Sequence, residues 1–405
     1  MDLTTAMPAD NEIVPIATLI DLPNLSANFP PRPQPELLRS NVANTLQGLV
    51  KEGVYAASVE GPDGMGKTTV LAQFARRFSS SAISVFVSAS NRLSFDIDLI
   101  RLDLATQAYW ILNGKPLLRD QFDPFLLKSY YGELQRYAKQ SSTTVYFVLD
   151  GIDELDRDPR EQLLQQLADT LPVGIPQFRF LFSGDDGLYK PLLGRNLAIK
   201  SYPLTEFSAE EARTLMEGYD ISVETASEIN GLCRGIPGRI AIVRRALEKG
   251  TQPQDFLNDA PTKWPELFEV DWAQVDQTNE RLIRILSLLV HDLKPHSVGD
   301  IAGVLNMSEA NVIDDIDTIN FVGVDPASGI VHFANGGLTR YIADRLKDRK
   351  PHIQKLLIKR LLAAPRSPEA LLELPTRLEE AADYPVLVDL LTPELCTTPD
   401  AAVVG

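Results

Sequence analysis

The eight residues Gly61-Pro62-Asp63-Gly64-Met65-Gly66-Lys67-Thr68 follow the spacing G-x-x-x-x-G-K-T. Holding phosphate requires these residue types. Glycines lack a Cβ, so successive backbone N–H groups can turn inward around anionic oxygens. A helix opening at Gly66–Thr68 adds the positive end of its dipole. Lys67 brings a point charge to the outer phosphates of a nucleotide, and the Thr68 hydroxyl is a Mg²⁺ ligand. Thr69 follows in position to contact the phosphate nearest the sugar, while Gly61, Gly64, Met65 and Gly66 shape the turn. A second constellation begins where the apolar run Val145–Leu149 ends in Asp150-Gly151-Ile152-Asp153-Glu154. A carboxylate at the C-terminal end of a buried strand is where phosphate-bound Mg²⁺ is held, so Asp150 is expected to organise the metal with Thr68. Asp153 and Glu154 lie just beyond, and either can orient or activate an attacking water. Together with Lys67 they are the candidate catalytic residues. Asp156 and Asp158 read as a solvated acidic turn.

Elements on both sides position these groups. VYAASVE (54–60) is expected to be a strand feeding the glycine loop, and Thr68–Phe78 a helix with Val70, Leu71, Phe74, Ala75 and Phe78 on one face. ISVFVS (83–88), TVYFVLD (144–150), FRFLFS (178–183) and LAIKSYP (197–203) read as further strands. The third is apolar enough to be buried on both faces. A helix is expected near Glu36–Lys51, a long, mainly helical insertion over 95–140, and a helix over 160–170. Strands alternating with helices imply an α/β fold with a mostly parallel sheet flanked on both sides.

After Tyr202 the pattern turns helical. Ser208 and Glu211 have the spacing of a capping box. Helices follow at about 223–233 and 238–249, broken by Gly235-Ile236-Pro237-Gly238. A Pro- and Asp-rich linker spans 251–276. Helices at 279–291, 297–305 and 308–320 then precede two short strands, FVGVD and IVHFA, flanking Pro326–Gly329. Three helices and a hairpin are the pattern of a winged helix. The tail from 349 is helical again. We therefore expect a Pro-rich arm (1–38), a nucleotide-binding domain (39–204), a helical domain (205–270), a winged-helix domain (271–348) and the start of helical repeats (349–405).

Composition narrows the partners. The 405 residues suffice for two to four domains. A net charge of −16 opposes broad binding to nucleic-acid backbones, which needs clustered Lys and Arg. Two cysteines, Cys233 and Cys396, indicate no disulfide framework, so a reducing, cytoplasmic setting is expected. The N-terminus lacks the apolar stretch of a signal peptide, and no apolar run reaches the ~18 residues of a membrane span. None of the four histidines sits with a cysteine or second histidine at metal-binding spacing.

The motifs in this order resemble the STAND class of P-loop signalling NTPases, particularly its NACHT and NB-ARC groups. FVLDGIDEL looks like the NACHT form of the acidic motif. Gly235-Ile236-Pro237 resembles the G-x-P motif of the helical domain, where the proline approaches the adenine. Residues 279–347 look like the winged helix that closes over the nucleotide, and ALLELPTRLEEAADYPVLVDLLT like the first helices of a sensor repeat. Arg32, in Pro31-Arg32-Pro33, resembles the arginine at the entry of the adenine pocket. Two positions depart from the pattern. Ser183 stands where a polar residue meets the γ-phosphate, but Gly184 replaces the arginine usual after it. The winged-helix histidine that touches bound ADP has as counterparts His332 or, better aligned, Asn335. The resemblance implies ATP and ADP as alternating ligands with Mg²⁺, slow hydrolysis, oligomerisation on activation, a protein trigger read by the C-terminal helices, and a role in defence or cell death.

Two other readings compete. A winged helix can read DNA, but the helix that would do so, 308–320, carries Glu309, Asp314, Asp315 and Asp317 and no Lys or Arg. A protein scaffold in which nucleotide is only structural is compatible with the missing arginine.

Overall fold

The computed structural model describes residues 26–390 apart from 34, 52–53, 90, 116, 118–122, 124, 194–196, 198, 220, 249, 251, 254–256, 258–267, 270, 293, 326–328 and 334–335. The chain divides into two compact units. The first runs to Thr205, less the segments Pro62–Met65 and Ala89–Arg92, which group with the second.

In the first unit, β1 (Ala56–Glu60), β2 (Ala82–Phe86), β3 (Val145–Asp150), β4 (Phe178–Ser183) and β5 (Ile199–Pro203) form one sheet in the order β2-β3-β4-β1-β5. Every pairing is parallel. The helices α1 (Ser40–Lys51), α2 (Lys67–Arg77), α3 (Ile97–Asn113), α4 (Leu126–Gln140), α5 (Arg157–Thr170) and α6 (Asp186–Leu193) connect and cover it. All six residues of β3 are buried, as expected of a central strand covered on both faces.

The period of two along the strands sorts the core. Phe147 of β3 stacks on Phe180 of β4 at 5.1 Å and meets Tyr131 of α4. On the opposite face, Tyr146 packs against Phe74 and Phe78 at the other side of the sheet, where α2 lies. Counting on by twos from Tyr146 brings Asp150 to that same α2 face, and Ser183, out of step with Phe180 and Phe182, points there as well.

Several expectations are refined. The first helix starts at Ser40 rather than near Glu36, because Gln73 of α2 holds the preceding chain extended. It donates to Glu36 and to the Leu37 carbonyl and accepts from the Arg39 N–H. The 95–140 region is no insertion. It is the β2-to-β3 crossover, with α3 packed on β2 and α4 on α3. The buried Gln107 of α3 exchanges two 2.8 Å hydrogen bonds with the backbone of Ser84, closing the free edge of β2 as a neighbouring strand would. Helix α6 had no counterpart in the sequence reading.

The second unit begins with α7 (Ala209–Leu215), α8 (Val223–Leu232) and α9 (Pro237–Glu248). Ser208 and Glu211 form the expected capping box. A winged-helix arrangement follows: α10 (Glu280–His291), β6 (His296–Ser297), α11 (Val298–Leu305), α12 (Glu309–Ile316), β7 (Val322–Val324) and β8 (Ile330–Phe333), with the three strands antiparallel in the order β6-β8-β7. Strand β6 had no counterpart in the sequence reading. The helices α13 (Gly336–Arg345), α14 (Lys350–Leu362), α15 (Pro368–Glu380) and α16 (Tyr384–Leu390) complete the unit. Leu361, Ala370, Leu374 and Leu378 form the core of this last hairpin. A buried polar cluster ties it to the winged helix. Asp292 accepts from Arg377 at 2.6 Å and lies 2.8 Å from the fully buried His296. Among the described residues no helix is long and apolar enough to cross a membrane.

Candidate phosphate-binding site

Strand β1 ends at Glu60, and the chain turns tightly before entering α2. The Met65 N–H donates to the Pro62 carbonyl, and Met65 is buried beneath the turn. Gly66, at φ +89°, is the N-cap of α2 and offers no side-chain cap. The first helical bond runs from the Val70 N–H to the Gly66 carbonyl. Helix geometry therefore leaves the N–H groups of Lys67, Thr68 and Thr69 for an outside acceptor. The Lys67 ammonium folds back across the loop and donates to the Gly61 carbonyl at 2.9 Å.

Asp150 closes β3 on the α2 face. Burial is the main influence on its carboxyl and pushes its pKa up to about 6. The hydroxyls of Thr68 and Ser183 oppose that, nearby Asp153 adds to it, and Lys67 pulls it down. One carboxylate oxygen, Oδ1, is buried without a hydrogen-bond partner. Because β4 lies between β3 and β1, the end of β4 falls between Asp150 and the glycine loop.

The two strand ends are tied together. The Gly151 N–H donates to Ser183 Oγ at 3.0 Å. Gly151 sits at φ +80°, and a Cβ there would lie 1.9 Å from the Val87 carbonyl oxygen, so only glycine lets the chain leave β3 along this path. Asp153, on the 3-10 turn Ile152–Glu154, is half-buried with Oδ1 3.3 Å from Ser183 Oγ. Glu154 on the same turn is exposed.

The structure thus brings Gly61, Lys67, Thr68, Asp150, Asp153 and Ser183 together at the C-terminal ends of β1, β3 and β4, with Thr69 half-buried in the first turn of α2. In the second unit the Gly238 N–H, next to Pro237 at the start of α9, donates to the Gly64 carbonyl at 2.8 Å. Arg32 is not brought to the loop. It is exposed and 3.9 Å from Glu36, which also pairs with Arg76 in the last turn of α2. That turn lies about 13 Å of helix rise from Lys67. His332 lies on β8 opposite Gly323, and Asn335 falls outside the described residues.

The sequence reading missed Tyr189. It is fully buried in α6, stacks on Phe182 with ring centroids 4.1 Å apart, and donates its hydroxyl to the Ser183 carbonyl at 2.7 Å. Its only sequence signal was an aromatic residue in a stretch without clear periodicity.

A solved structure of a signal-transduction ATPase with numerous domains, a STAND protein with a tetratricopeptide repeat sensor from Pyrococcus horikoshii, superposes with a TM-score of 0.56 at 15% identity. The match covers 91% of this chain and 51% of that one, so the chain spans about half the length of that protein. It has the fold of a STAND-class P-loop NTPase. Less similar folds include a Walker-type ATPase of Pyrococcus abyssi (TM-score 0.43, 13% identity, 77% of this chain and 97% of that one) and Cdc6p from Pyrobaculum aerophilum (TM-score 0.33, 14% identity, 80% and 98%). No family model and no curated protein matches the sequence.

Proposed function

We propose that this STAND-like chain binds ATP and ADP with Mg²⁺ and works as a slow regulatory ATPase, a switch whose product is a conformational state. One observation carries this reading. Lys67, Thr68, Asp150 and Ser183 converge at the strand ends, with Asp150 Oδ1 buried and unpartnered. A buried carboxylate oxygen without a partner is costly unless a cation or its water shell engages it. The residues therefore fit Mg²⁺, which Thr68 and Asp150 would hold. When bound, the ion neutralises charge on the β- and γ-phosphates.

Lys67 leaves the Gly61 carbonyl to meet the outer phosphates, and the first-turn N–H groups of α2 receive their oxygens. Of the two candidates for handling water, Asp153 is the one within 3.3 Å of Ser183 at the strand ends, and Glu154 is exposed. Asp153 orients a water whose oxygen bonds to the γ-phosphorus as the bond to the bridging oxygen breaks. ADP leaves, and the water's proton ends on the released phosphate.

The γ-phosphate adds charge that ordered donors can satisfy in one chain arrangement only, so nucleotide state biases a two-state equilibrium. On this reading the nucleotide-binding region is 39–204, followed by a helical domain (205–270), the winged helix (271–348) and the first sensor helices (349–405), with 1–38 as an arm. Pro237 would approach the adenine in the nucleotide-bound state. Self-association on activation, a cytoplasmic setting, a protein trigger at the C-terminal helices and an output in defence or regulated cell death belong to the same proposal. Nucleic acid is left out because Glu309 and Asp314 of α12, and Asp317 just after it, are exposed acids that repel phosphate.

Limited proteolysis with Mg-ADP and with a non-hydrolysable ATP analogue tests the switch. We expect different cleavage patterns from the two ligands, and the same pattern from both in Lys67→Ala. Identical patterns in the wild type would sink the switch.

A further inference from the structure

The end of β4 is anchored by three hydrogen bonds to its backbone. The Ser183 carbonyl accepts from buried Tyr189, the Gly184 carbonyl accepts from Ser58 Oγ, and the Gly184 N–H donates to the Val59 carbonyl at 2.9 Å. What this mount faces is Asp153. A Cβ built on Gly184 would stand 2.9 Å from Asp153 Oδ2, 3.0 Å from its Cγ and 3.1 Å from its Cβ, and Gly184 lies at φ +90°, where L side chains are strained. The Asp153 carboxylate therefore fills the space that any side chain at 184 would need.

The Ser183 hydroxyl has one proton to give. One of its lone pairs already takes the Gly151 N–H, and Asp153 Oδ1 is 3.3 Å away. Ser183 also neighbours the Asp150 carboxyl; with Asp150 engaged by Mg²⁺, as in the reading above, Asp153 is the carboxylate left to accept that proton.

We propose that Ser183 and Gly184 act on hydrolysis through Asp153: Ser183 holds one carboxylate oxygen, the absent Cβ of Gly184 vacates the place the other occupies, and neither senses the γ-phosphate directly. Both are positioning residues for the water that Asp153 orients. The inference rests on the ATPase reading and deepens it. It also accounts for a glycine at this position in the chain's own terms, because an arginine here would displace the group that handles water.

The test measures ATP turnover and, by calorimetry, affinity for a non-hydrolysable ATP analogue with Mg²⁺, for wild type, Lys67→Ala, Gly184→Ala, Asp153→Asn, Ser183→Ala and the double variant Gly184→Ala/Asp153→Asn. A misplaced water-orienting group costs on the order of 10²-fold in kcat. Gly184→Ala should lose about that factor while its Kd for the analogue stays within ~3-fold of wild type, since no phosphate contact is removed. The double variant should be no slower than Asp153→Asn alone, because the carboxylate that the new methyl displaces has already been disabled. A crystal structure of Gly184→Ala should show the Asp153 carboxylate moved off Ser183. If Gly184→Ala does not fold, Ser183→Ala, which adds no atom, carries the same predictions of lost turnover, kept affinity and non-additivity with Asp153→Asn.

Wild-type kcat in both single variants, losses that multiply in the double variant, affinity that falls in step with turnover, or a carboxylate left in place would each overturn the inference while wild-type activity stands. Wild-type turnover no faster than Lys67→Ala would instead overturn the ATPase reading, and the inference with it.

Discussion

Replacing Asp150 by asparagine should make the nucleotide-free protein more stable and the liganded protein less so. In the free protein burial pushes the Asp150 carboxyl from an ordinary value of 3.8 to about 6, and Oδ1 has no partner. A shift of about 2 units at ~1.4 kcal/mol each is a penalty of about 3 kcal/mol for ionising it in the folded state. The sign follows from the direction of the shift. The folded state holds this proton more tightly than the unfolded chain. The penalty is therefore absent below pH ~4, grows as pH rises from ~4 to ~6, and is complete at neutral pH. Asparagine carries no charge and keeps the shape, though its buried amide returns part of the gain. We expect Asp150→Asn to be more stable by about 1–3 kcal/mol at pH 7.5, roughly 3–8 °C in midpoint for a domain of this class. The gap should close at pH 4. Adding Mg-ADP should raise the wild-type midpoint well above that of the variant, because a ligand stabilises only the state it binds. Differential scanning fluorimetry at both pH values, with and without Mg-ADP, reads all four quantities. A free variant less stable than wild type at pH 7.5, or a variant that gains as much as wild type from Mg-ADP, would refute the reasoning.

Gly151→Ala should be among the most damaging single-methyl changes in the chain. Its Cβ would meet the Val87 carbonyl at 1.9 Å in a left-handed backbone, so left-handed strain of about 1–2 kcal/mol adds to overpacking of about 1–3 kcal/mol, read as a fall in thermal midpoint. Arg377→Ala leaves Asp292 buried without its 2.6 Å partner and should cost about 3–5 kcal/mol in denaturant unfolding. Burial pushes the Asp292 carboxyl up, but His296 and Arg377 outweigh it and hold it below the usual range. The stabilisation they provide is thus present above the unfolded value and lost as pH falls through the folded one, so wild type and Arg377→Ala should converge in strong acid.

What the sequence made legible was local. The apolar run of β3, the length of β4, the capping box at Ser208 and the three helices before the wing are each decided by residues within a few positions of one another. What it hid was decided elsewhere in the chain. Helix α1 starts late because Gln73 claims the residues before it. Strand β6 is two residues long and exists only through its pairing with Val331 and Ile330. Helix α6 carries Pro191 in its interior, which masks its periodicity.

The site divides in the same way. Its phosphate-facing residues are contiguous, so their spacing alone pointed to them. The relation of Asp153 to Ser183 and Gly184 depends on β4 lying between β3 and β1, and no local pattern encodes strand order. Read in one dimension, Gly184 is a missing arginine. In the fold it is the space an aspartate occupies.

The central claim is that the loop at Gly61–Thr68 holds an adenine nucleotide through Lys67. Titrating Mg-ADP into the purified, nucleotide-stripped protein and into Lys67→Ala by isothermal calorimetry tests it most directly. One site per chain in the wild type, with binding at least ~100-fold weaker in the variant, about 2.7 kcal/mol, is the result this account predicts. No heat in the wild type, or equal affinity in the two proteins, would contradict it.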